Sequence, residues 1–326
     1  MTVIRQDDFI DSVADALQFI SYYHPVDFVQ AVHQAYEREL NPAAKDAMAQ
    51  ILINSRMCAE GHRPICQDTG IVTVFLKIGM DVQWDATLSV ADMVNEGVRR
   101  AYTHPDNVLR ASILEDPAGA RRNTRDNTPA VIHMEVVAGD TVDVQVAAKG
   151  GGSENKSKMV MLNPSDSIVD WVVKTVPTMG AGWCPPGMLG IGIGGTAEKA
   201  AVMAKESLME PIDIHELRER GPSNRAEELR LEIMDAVNKL GIGAQGLGGL
   251  TTVMDVKIMD YPTHAASLPV AMIPNCAATR HAHFVLDGSG PALQTPPDLN
   301  DWPDITWEVG EQVRRVNLDT VTPEEA

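Results

Sequence analysis

A glycine-rich stretch in the middle of the chain decides the fold: residues 182–195 read GWCPPGMLGIGIGG. These glycines lack the GK[ST] ending of a P-loop and the G-x-G-x-x-G spacing of a dinucleotide-binding turn, and no clear βαβ pattern precedes them. A nucleotide-binding role is therefore disfavoured. The run predicts a strand or loop, and Cys184 stands at its start, where the two prolines that follow fix the backbone.

Two further cysteines lie in loops of the same kind. Cys66 lies in RPICQDTG and Cys276 in IPNCAATRHAH, whereas Cys58 lies in the apolar helical run ILINSRMCAE and is interpreted as a core thiol. A backbone fixed by nearby proline or glycine holds a thiolate ready to bind a metal cluster. Spacing alone leaves three interpretations open: inert thiols, a zinc site of three cysteines and a histidine, or an iron–sulfur cluster.

Polar residues next to these cysteines are candidates for acid–base chemistry. Gln67 and Asp68 directly follow Cys66, so a carboxylate would lie near a metal-bound substrate, although an Asx turn is the plainer interpretation. His264 precedes Cys276 by twelve residues on a loop that starts with proline. A lone histidine is more often structural than catalytic.

Candidate anion-binding residues lie in two other segments. The run KGGGSENKSK at 149–158 joins three glycines to Lys149, Lys156 and Lys158, which is typical of an anion-binding nest, with a flexible surface turn as the alternative. Arg110 and the three arginines of RRNTRDNTPA at 121–130 could bind carboxylates through two bonds or could be surface charges.

Periodicity predicts an α+β protein with mixed β-sheets covered by helices and a helical N-terminal region. Apolar residues recur with helical spacing through the first 60 residues, which predicts three helices. Short β-branched runs predict strands, and the two that flank Ala138, Gly139 and Asp140 suggest a hairpin. The other predicted helices cover 87–103, 166–179, 196–209 and 224–239, and the other predicted strands cover 71–80, 251–259, 267–273 and 281–287.

Composition restricts the class of protein. The formal net charge is −18, which disfavours binding to nucleic acid or anionic membranes. No apolar run reaches the roughly 18 residues of a membrane span, and the N-terminus has no apolar signal region. We therefore expect a cytoplasmic protein with reduced thiols. An anionic substrate would require local cations to reverse the field.

The C-terminal segment differs in character from the rest. Residues 1–290 are interpreted as one domain, whereas 291–326 contain five prolines and little periodicity and are interpreted as an extended linker or tail.

Six motifs in order together resemble the class I, iron–sulfur-dependent fumarate hydratases, to which the L-tartrate dehydratase α subunits are related. They are CQDTG at 66–70, NTRDNTPA at 123–130, KGGGSENKS at 149–157, GWCPPGMLGIGIGG at 182–195, PTHAASLPVA at 262–271 and PNCAATRHAHFVLDGSG at 274–290. The resemblance runs from about residue 10 to the end of the chain.

The resemblance implies an oxygen-sensitive [4Fe–4S] cluster on Cys66, Cys184 and Cys276, with one iron open to substrate. It implies that Asp68 and His264 take part in proton transfer. It further implies a substrate pocket formed by Gln67, Asp68, Arg110, Gly152, Asn155 and Lys156. The expected reaction is the interconversion of malate and fumarate in the tricarboxylic acid cycle.

The resemblance also implies partners. A second domain or β subunit would carry the remaining site residues, and the tail after residue 290 would lead towards it. A homodimer and a small dicarboxylate substrate are expected. Two alternatives stay open: an L-tartrate dehydratase component, and a non-enzymatic iron–sulfur sensor.

Overall fold

The computed structural model describes residues 2–303, residue 305, and the backbone of residues 308–309 and 312–313. In this part of the chain the fold is α+β with mixed sheets and a helical N-terminal region, as predicted. The helices are α1 Gln6–Tyr22, α2 Val26–Arg38, α3 Pro42–Gly61, α4 Val90–Tyr102, α5 Gly151–Glu154, α6 Ile168–Thr175, α7 Ala197–Glu206, α8 Ile214–Arg220 and α9 Arg225–Asn238. Short 3₁₀ turns cover Val176–Met179, Ser207–Met209, Ala244–Gly246 and Leu299–Asp301.

The strands form two four-stranded mixed sheets and three short two-stranded pairs. Sheet I has the order β12–β7–β2–β6, and sheet II has the order β10–β9–β11–β8. The strands are β1 Thr2–Arg5, β2 Ile71–Gly79, β3 Val82–Asp85, β4 Leu114–Glu115, β5 Arg122–Asn123, β6 Val131–Val137, β7 Val142–Lys149, β8 Lys158–Leu162, β9 Gly187–Gly194, β10 Val253–Tyr261, β11 Leu268–Asn275, β12 His281–Leu286, β13 Glu308–Val309 and β14 Gln312–Val313.

Local capping explains where the predicted helices begin. The Asn41 side chain accepts a hydrogen bond from Ala43 N at the start of α3, and Pro42 occupies its first turn. Ser89 caps α4 in the same way, by accepting a hydrogen bond from Asp92 N. The predicted long helix at 224–239 is confirmed as α9, which begins after the capping residue Asn224.

The predicted hairpin is wrong. Strands β6 and β7 both exist, but β2 lies between them, antiparallel to β7 and parallel to β6. The turn after β2 bonds to the segment that joins β6 to β7, since Met80 N donates to Val137 O and Asp81 N donates to Gly139 O. The connection therefore crosses over the end of β2 and does not reverse tightly.

The glycine run at 187–194 is a central strand because a helix packs closely against it. A Cβ on Gly192 would lie 1.9 Å from Ala200 O, and one on Gly190 would lie 2.1 Å from Ala204 O, both in α7. Only glycine lets the α7 backbone approach β9 this closely. This packing, and not phosphate binding, accounts for the glycine pattern.

Several apolar clusters stabilise the two sheets. Helices α1 and α4 cover sheet I, helices α6, α8 and α9 cover one face of sheet II, and α7 covers its other face. A further cluster joins α2 and α3 to Ala277, directly after Cys276, and to Trp302. The clusters beneath α1 and α4 and beneath α6, α8 and α9 hold these helices against the two sheets. The α2–α3 cluster buries the loop after β11.

The segment after residue 290 begins by packing along α1. Ala292 N donates to Ser12 Oγ at 2.8 Å, Gln294 N donates to Asp15 Oδ2 at 2.6 Å, and Trp302 is buried. The proposed boundary at residues 290 and 291 stays a prediction, and most of the tail from residue 304 lies outside the described residues. No helix in the described part of the chain combines the length and apolar character needed to cross a bilayer.

The substitution Gly192→Ala should destabilise the protein strongly. Its methyl group would overlap backbone atoms of α7, which cannot move aside as a side chain can. We expect a loss of about 3 kcal/mol or more in the free energy of unfolding, measured by urea denaturation. Gly61→Ala is the matched control, because a Cβ there meets only the flexible Arg63 side chain at 3.5 Å. Equal stability of the two variants would contradict the packing described for β9.

A buried histidine should make the fold sensitive to acid. His24 is 2% exposed, and its Nδ1 lies 2.8 Å from Ser55 Oγ. Burial, helped by the charge of Arg280, lowers the pKa of His24 to about 3. The unfolded chain binds this proton near pH 6.5, so it holds more protons than the folded chain between pH 6.5 and 3, and stability falls as the pH falls through this range.

Between pH 7 and pH 5, His24 should account for a loss of about 2 kcal/mol in the free energy of unfolding of the metal-free chain. Urea denaturation at both pH values tests this. His24→Asn should show a correspondingly smaller loss, whereas His33→Asn, at a more exposed position on α2, should behave like the wild type. The assignment fails if His24→Asn and the wild type lose the same amount.

Candidate active site

The loop that carries Cys66 and the glycine-rich segment at 150–156 meet at one end of sheet I. Strand β2 begins directly after CQDTG, and its register pairs Ile71 with Lys149, the last residue of β7. A Cβ on Gly70 would lie 2.7 Å from the Ala148 carbonyl carbon, so glycine is needed for this approach. The register therefore brings Cys66, Gln67 and Asp68 to the start of the 150–156 segment.

The loops of Cys184 and Cys276 meet at one end of sheet II. Cys184 precedes β9 and Cys276 follows β11, and the register pairs Met188 with Asn275. Ala277 N donates to Cys184 O at 3.0 Å, which ties the two loops together directly. A Cβ on Gly187 would lie 1.9 Å from Asn275 O, so a side chain there would force the loops apart.

The Cys66 loop is fixed on both sides. Buried Ile65 donates its N–H to Ser21 O at 2.8 Å and accepts from Asn54 Nδ2 at 3.1 Å. On the other side, fully buried Asn127 donates to Gly70 O at 3.0 Å. The NTRDNTPA motif thus supports this loop through Asn127. The three arginines of the longer run at 121–130, Arg121, Arg122 and Arg125, are exposed.

The three loop thiols lie within electrostatic range of one another. All four cysteines are free, and Cys184 is exposed while Cys66 and Cys276 are half-buried. Burial first, and then the nearby thiols of Cys276 and Cys66, raise the pKa of Cys184. Cys58 is buried, and its thiol donates to Asn54 and Pro64, which confirms it as a core thiol.

Three free thiols on fixed loops are donors of the kind that hold a metal cluster. Among the described residues, no three or more His, Cys, Asp or Glu side chains stand close enough to hold one metal ion. A zinc ion needs all its ligands within about 2.3 Å of one point, whereas thiolates that bind different irons of a cubane stand further apart.

Asp68 is held rigidly beside these thiols. Its Oδ1 accepts from Gly70 N at 3.1 Å, and its Oδ2 accepts from Gly151 N at 2.7 Å. Gln67 Oε1 lies 3.4 Å from Cys66 Sγ. Thr69 Oγ1 donates to Arg110 O, which ties the Arg110 backbone to this loop. The Arg110 side chain is exposed. The backbone of Arg110 therefore lies next to the loop that carries Gln67 and Asp68.

The segment at 149–158 differs from the expected anion-binding nest in one respect. Lys149 is 6% exposed, donates to Ser153 Oγ at 2.8 Å and forms an ion pair of 3.2 Å with Glu154. Glu154 also pairs with Lys205. Burial lowers the pKa of Lys149 to about 8. Lys149 is therefore buried and shares a single carboxylate with Lys205, so it is not the freely exposed cation that was expected.

The other residues of this run line the Cys184 loop. A Cβ on Gly152 would lie 3.2 Å from Gly182 O, and one on Gly182 would lie 3.3 Å from Lys156 Cε. Asn155 is exposed at the end of α5. Among the described residues Lys156 has no ion-pair partner, so its charge is available at the site.

Sequence reasoning missed Arg280. It lies between Cys276 and β12, is 3% exposed, and its Nε and Nη2 have no hydrogen-bond partner among the described residues. A Cβ on Gly150 would lie 3.7 Å from Arg280 Nη2 and 3.1 Å from Asp68 Oδ2. The pattern that could have revealed it is a cation in the loop that follows a candidate ligand cysteine.

His264 is not brought to this site within one chain. It is exposed in the loop between β10 and β11, at the end of sheet II where Gly194 pairs with Tyr261. Cys184 and Cys276 lie at the other end of the same strands. Eight residues of β11 at about 3.3 Å each separate the two ends by roughly 25 Å.

Comparisons with known proteins agree with this geometry. A protein of Methanocaldococcus jannaschii, provisionally named L(+)-tartrate dehydratase subunit alpha, is 34% identical over 279 residues, which cover 83% of this chain and 95% of that protein. The L(+)-tartrate dehydratase subunit alpha of Escherichia coli K12 is 28% identical over 277 residues, which cover 84% of this chain and 89% of that subunit. The family described as fumarate hydratase (Fumerase) matches residues 10–285. The chain therefore belongs to the fumarate hydratase (Fumerase) family and is a hydro-lyase of that type.

Proposed function

We propose that this chain is the cluster-bearing component of a hydro-lyase that interconverts malate and fumarate. The observation that carries the proposal is the meeting of three free thiols, from segments far apart in sequence, beside the fixed carboxylate of Asp68. The family match supports the reaction type.

Cys66, Cys184 and Cys276 would hold a [4Fe–4S] cluster. When bound, such a cluster with one iron free of protein ligands supplies a Lewis acid that makes the substrate hydroxyl a better leaving group. Gly152, Asn155 and Gln67 lie on the loops around the thiols and would line the substrate pocket.

Asp68 would hold and move the proton. Its two backbone hydrogen bonds fix the carboxylate, so a proton transferred to or from it moves along a defined direction. Lys156 and Arg110 would bind the substrate carboxylates and offset their charge. A role for His264 in proton transfer would require that it reach the site from a second chain, as in the expected homodimer.

A partner would complete the site. Both relatives described above are named as alpha subunits. We propose that this chain functions with a β subunit or with a C-terminal domain that follows the tail, and that the partner supplies further cations for the substrate.

L-tartrate is the second candidate substrate. The names of these relatives favour it. Tartrate differs from malate by one additional hydroxyl, so the pocket would need one more hydrogen-bond partner for it. Initial rates on malate and L-tartrate, with the partner chain supplied, decide between the two.

Anaerobic reconstitution tests cluster binding. With iron and sulfide the wild-type chain should become brown and contain about four iron and four sulfide per chain. Cys66→Ser, Cys184→Ser and Cys276→Ser should each lose most of this iron, whereas Cys58→Ala is the control and should retain it. A colourless wild-type protein, or equal iron in all variants, would contradict the assignment.

Asp68→Asn tests proton transfer. The amide keeps the shape of the side chain but cannot accept the proton, so the turnover number of the assembled enzyme should fall about 10²–10⁴-fold with unchanged iron content. Asp235→Asn, at an exposed position on α9, should retain wild-type turnover. Wild-type turnover by Asp68→Asn would remove Asp68 from the mechanism.

A further inference from the structure

Arg280 presents a cation that the folded chain leaves without a partner. The residue is 3% exposed, and its Nε and Nη2 form no hydrogen bond among the described residues. A buried guanidinium with unsatisfied donors is costly, so such groups are normally paired. The cost is recovered when an acceptor enters the site.

The two unsatisfied donors form one recognition edge. The N–H of Nε and one N–H of Nη2 lie in the guanidinium plane, along the same edge, and are nearly parallel, and this arrangement matches the two oxygens of a carboxylate. A water molecule offers a single oxygen and would satisfy this edge less completely. The pair of orphaned atoms therefore indicates a carboxylate.

The nearest carboxylate of the chain does not fill this role. Both oxygens of Asp68 accept backbone hydrogen bonds, from Gly70 N and Gly151 N. Among the described residues, Arg280 forms no ion pair with Asp68 or with any other carboxylate. Asp68 keeps free acceptor sites on both oxygens, yet neither oxygen lies within hydrogen-bond distance of Arg280 Nε or Nη2.

The space between Arg280 and Asp68 is kept free of side chains by glycine. A Cβ on Gly150 would stand 3.1 Å from Asp68 Oδ2 and 3.7 Å from Arg280 Nη2. At Gly151 a Cβ would meet a single described atom within 4 Å, which is Asp68 Oδ2 at 3.7 Å. Gly151 therefore leaves open space next to Asp68 Oδ2.

We propose that Arg280 binds one carboxylate of the substrate through Nε and Nη2, and that it sets the preference of the site for dicarboxylates. This inference rests on the proposed function. Arg280 would act together with Lys156 and Arg110, whose charges approach from the exposed side. A substrate with one carboxylate would leave the buried guanidinium unpaired and would be rejected for that reason.

Binding of unreactive acids by the cluster-loaded chain, assembled with its partner, tests the inference. Succinate is the dicarboxylate probe and butyrate the monocarboxylate probe, and calorimetric titration gives each dissociation constant. The wild type should bind succinate far better than butyrate. Arg280→Gln should weaken succinate binding about 100-fold and leave butyrate binding almost unchanged.

Two variants separate recognition from a structural role. Arg280→Lys keeps the charge but cannot form two parallel bonds, so succinate binding should weaken about tenfold. Gly150→Ala keeps Arg280 and introduces a methyl group between it and Asp68, in a backbone conformation that alanine adopts readily, and it should also weaken succinate binding. Arg56→Gln, which removes a half-exposed arginine of α3, is the control for loss of charge and should bind like the wild type.

Iron and sulfide content is measured for every variant and should equal that of the wild type. Wild-type succinate affinity in Arg280→Gln, or loss of the cluster together with binding, would overturn the inference. If Arg280→Gln does not fold, Arg280→Lys and Gly150→Ala decide, and wild-type affinity in both overturns it. A wild type that neither binds nor converts any dicarboxylate would overturn the proposed function as well.

Discussion

The hydrogen bond from Ala277 N to Cys184 O is the contact on which the geometry of the site depends. It joins the end of β11 to the loop before β9, and Gly187 makes it possible by allowing Asn275 to approach. A second bond, from Ala148 N to Arg280 O, joins the segment after Cys276 to sheet I. These two hydrogen bonds fix the position of one sheet end relative to the other. The arrangement of the three loop thiols follows from that relative position.

The charges near the thiols differ in sign from the molecule as a whole. The chain carries a formal net charge of −18, yet Arg280 and Asp68 both flank Gly150, and Lys156 lies next to Gly182 in the Cys184 loop. Lys149 and Lys205 share the single carboxylate of Glu154, so this group also keeps a net positive charge. A small anion would therefore meet repulsion at long range and attraction only inside the site, which favours selectivity over speed of encounter.

Local patterns predicted most of the elements, because caps and apolar periods act over a few residues. The predicted helices at 87–103 and 224–239 and the strands at 71–80 and 267–273 are present with small shifts of their ends. The order of the strands was not predictable in this way. Insertion of β2 between β6 and β7 depends on a pairing that no turn sequence encodes.

The sequence motifs predicted the loops of the candidate site better than the environment of its individual residues. The cysteine loops, Gln67 and Asp68 meet as the motifs suggested, since each motif lies at the end of a strand. Lys149 is buried and shares a single carboxylate with Lys205, and His264 lies at the far end of sheet II. Arg280 remained hidden because its importance comes from burial without a partner, which is a property of the folded chain alone.

The wide separation of the three thiols along the chain has a consequence for assembly. Cys66, Cys184 and Cys276 approach one another only after both sheets have formed and joined, so the unfolded chain has no preformed site. Insertion of the proposed cluster would then follow folding, and its binding free energy would add to the cooperativity of the whole domain. Loss of that cofactor would reduce resistance to unfolding and to proteolysis along the whole chain, so that chemical damage at one point shortens the lifetime of the entire protein in the cell.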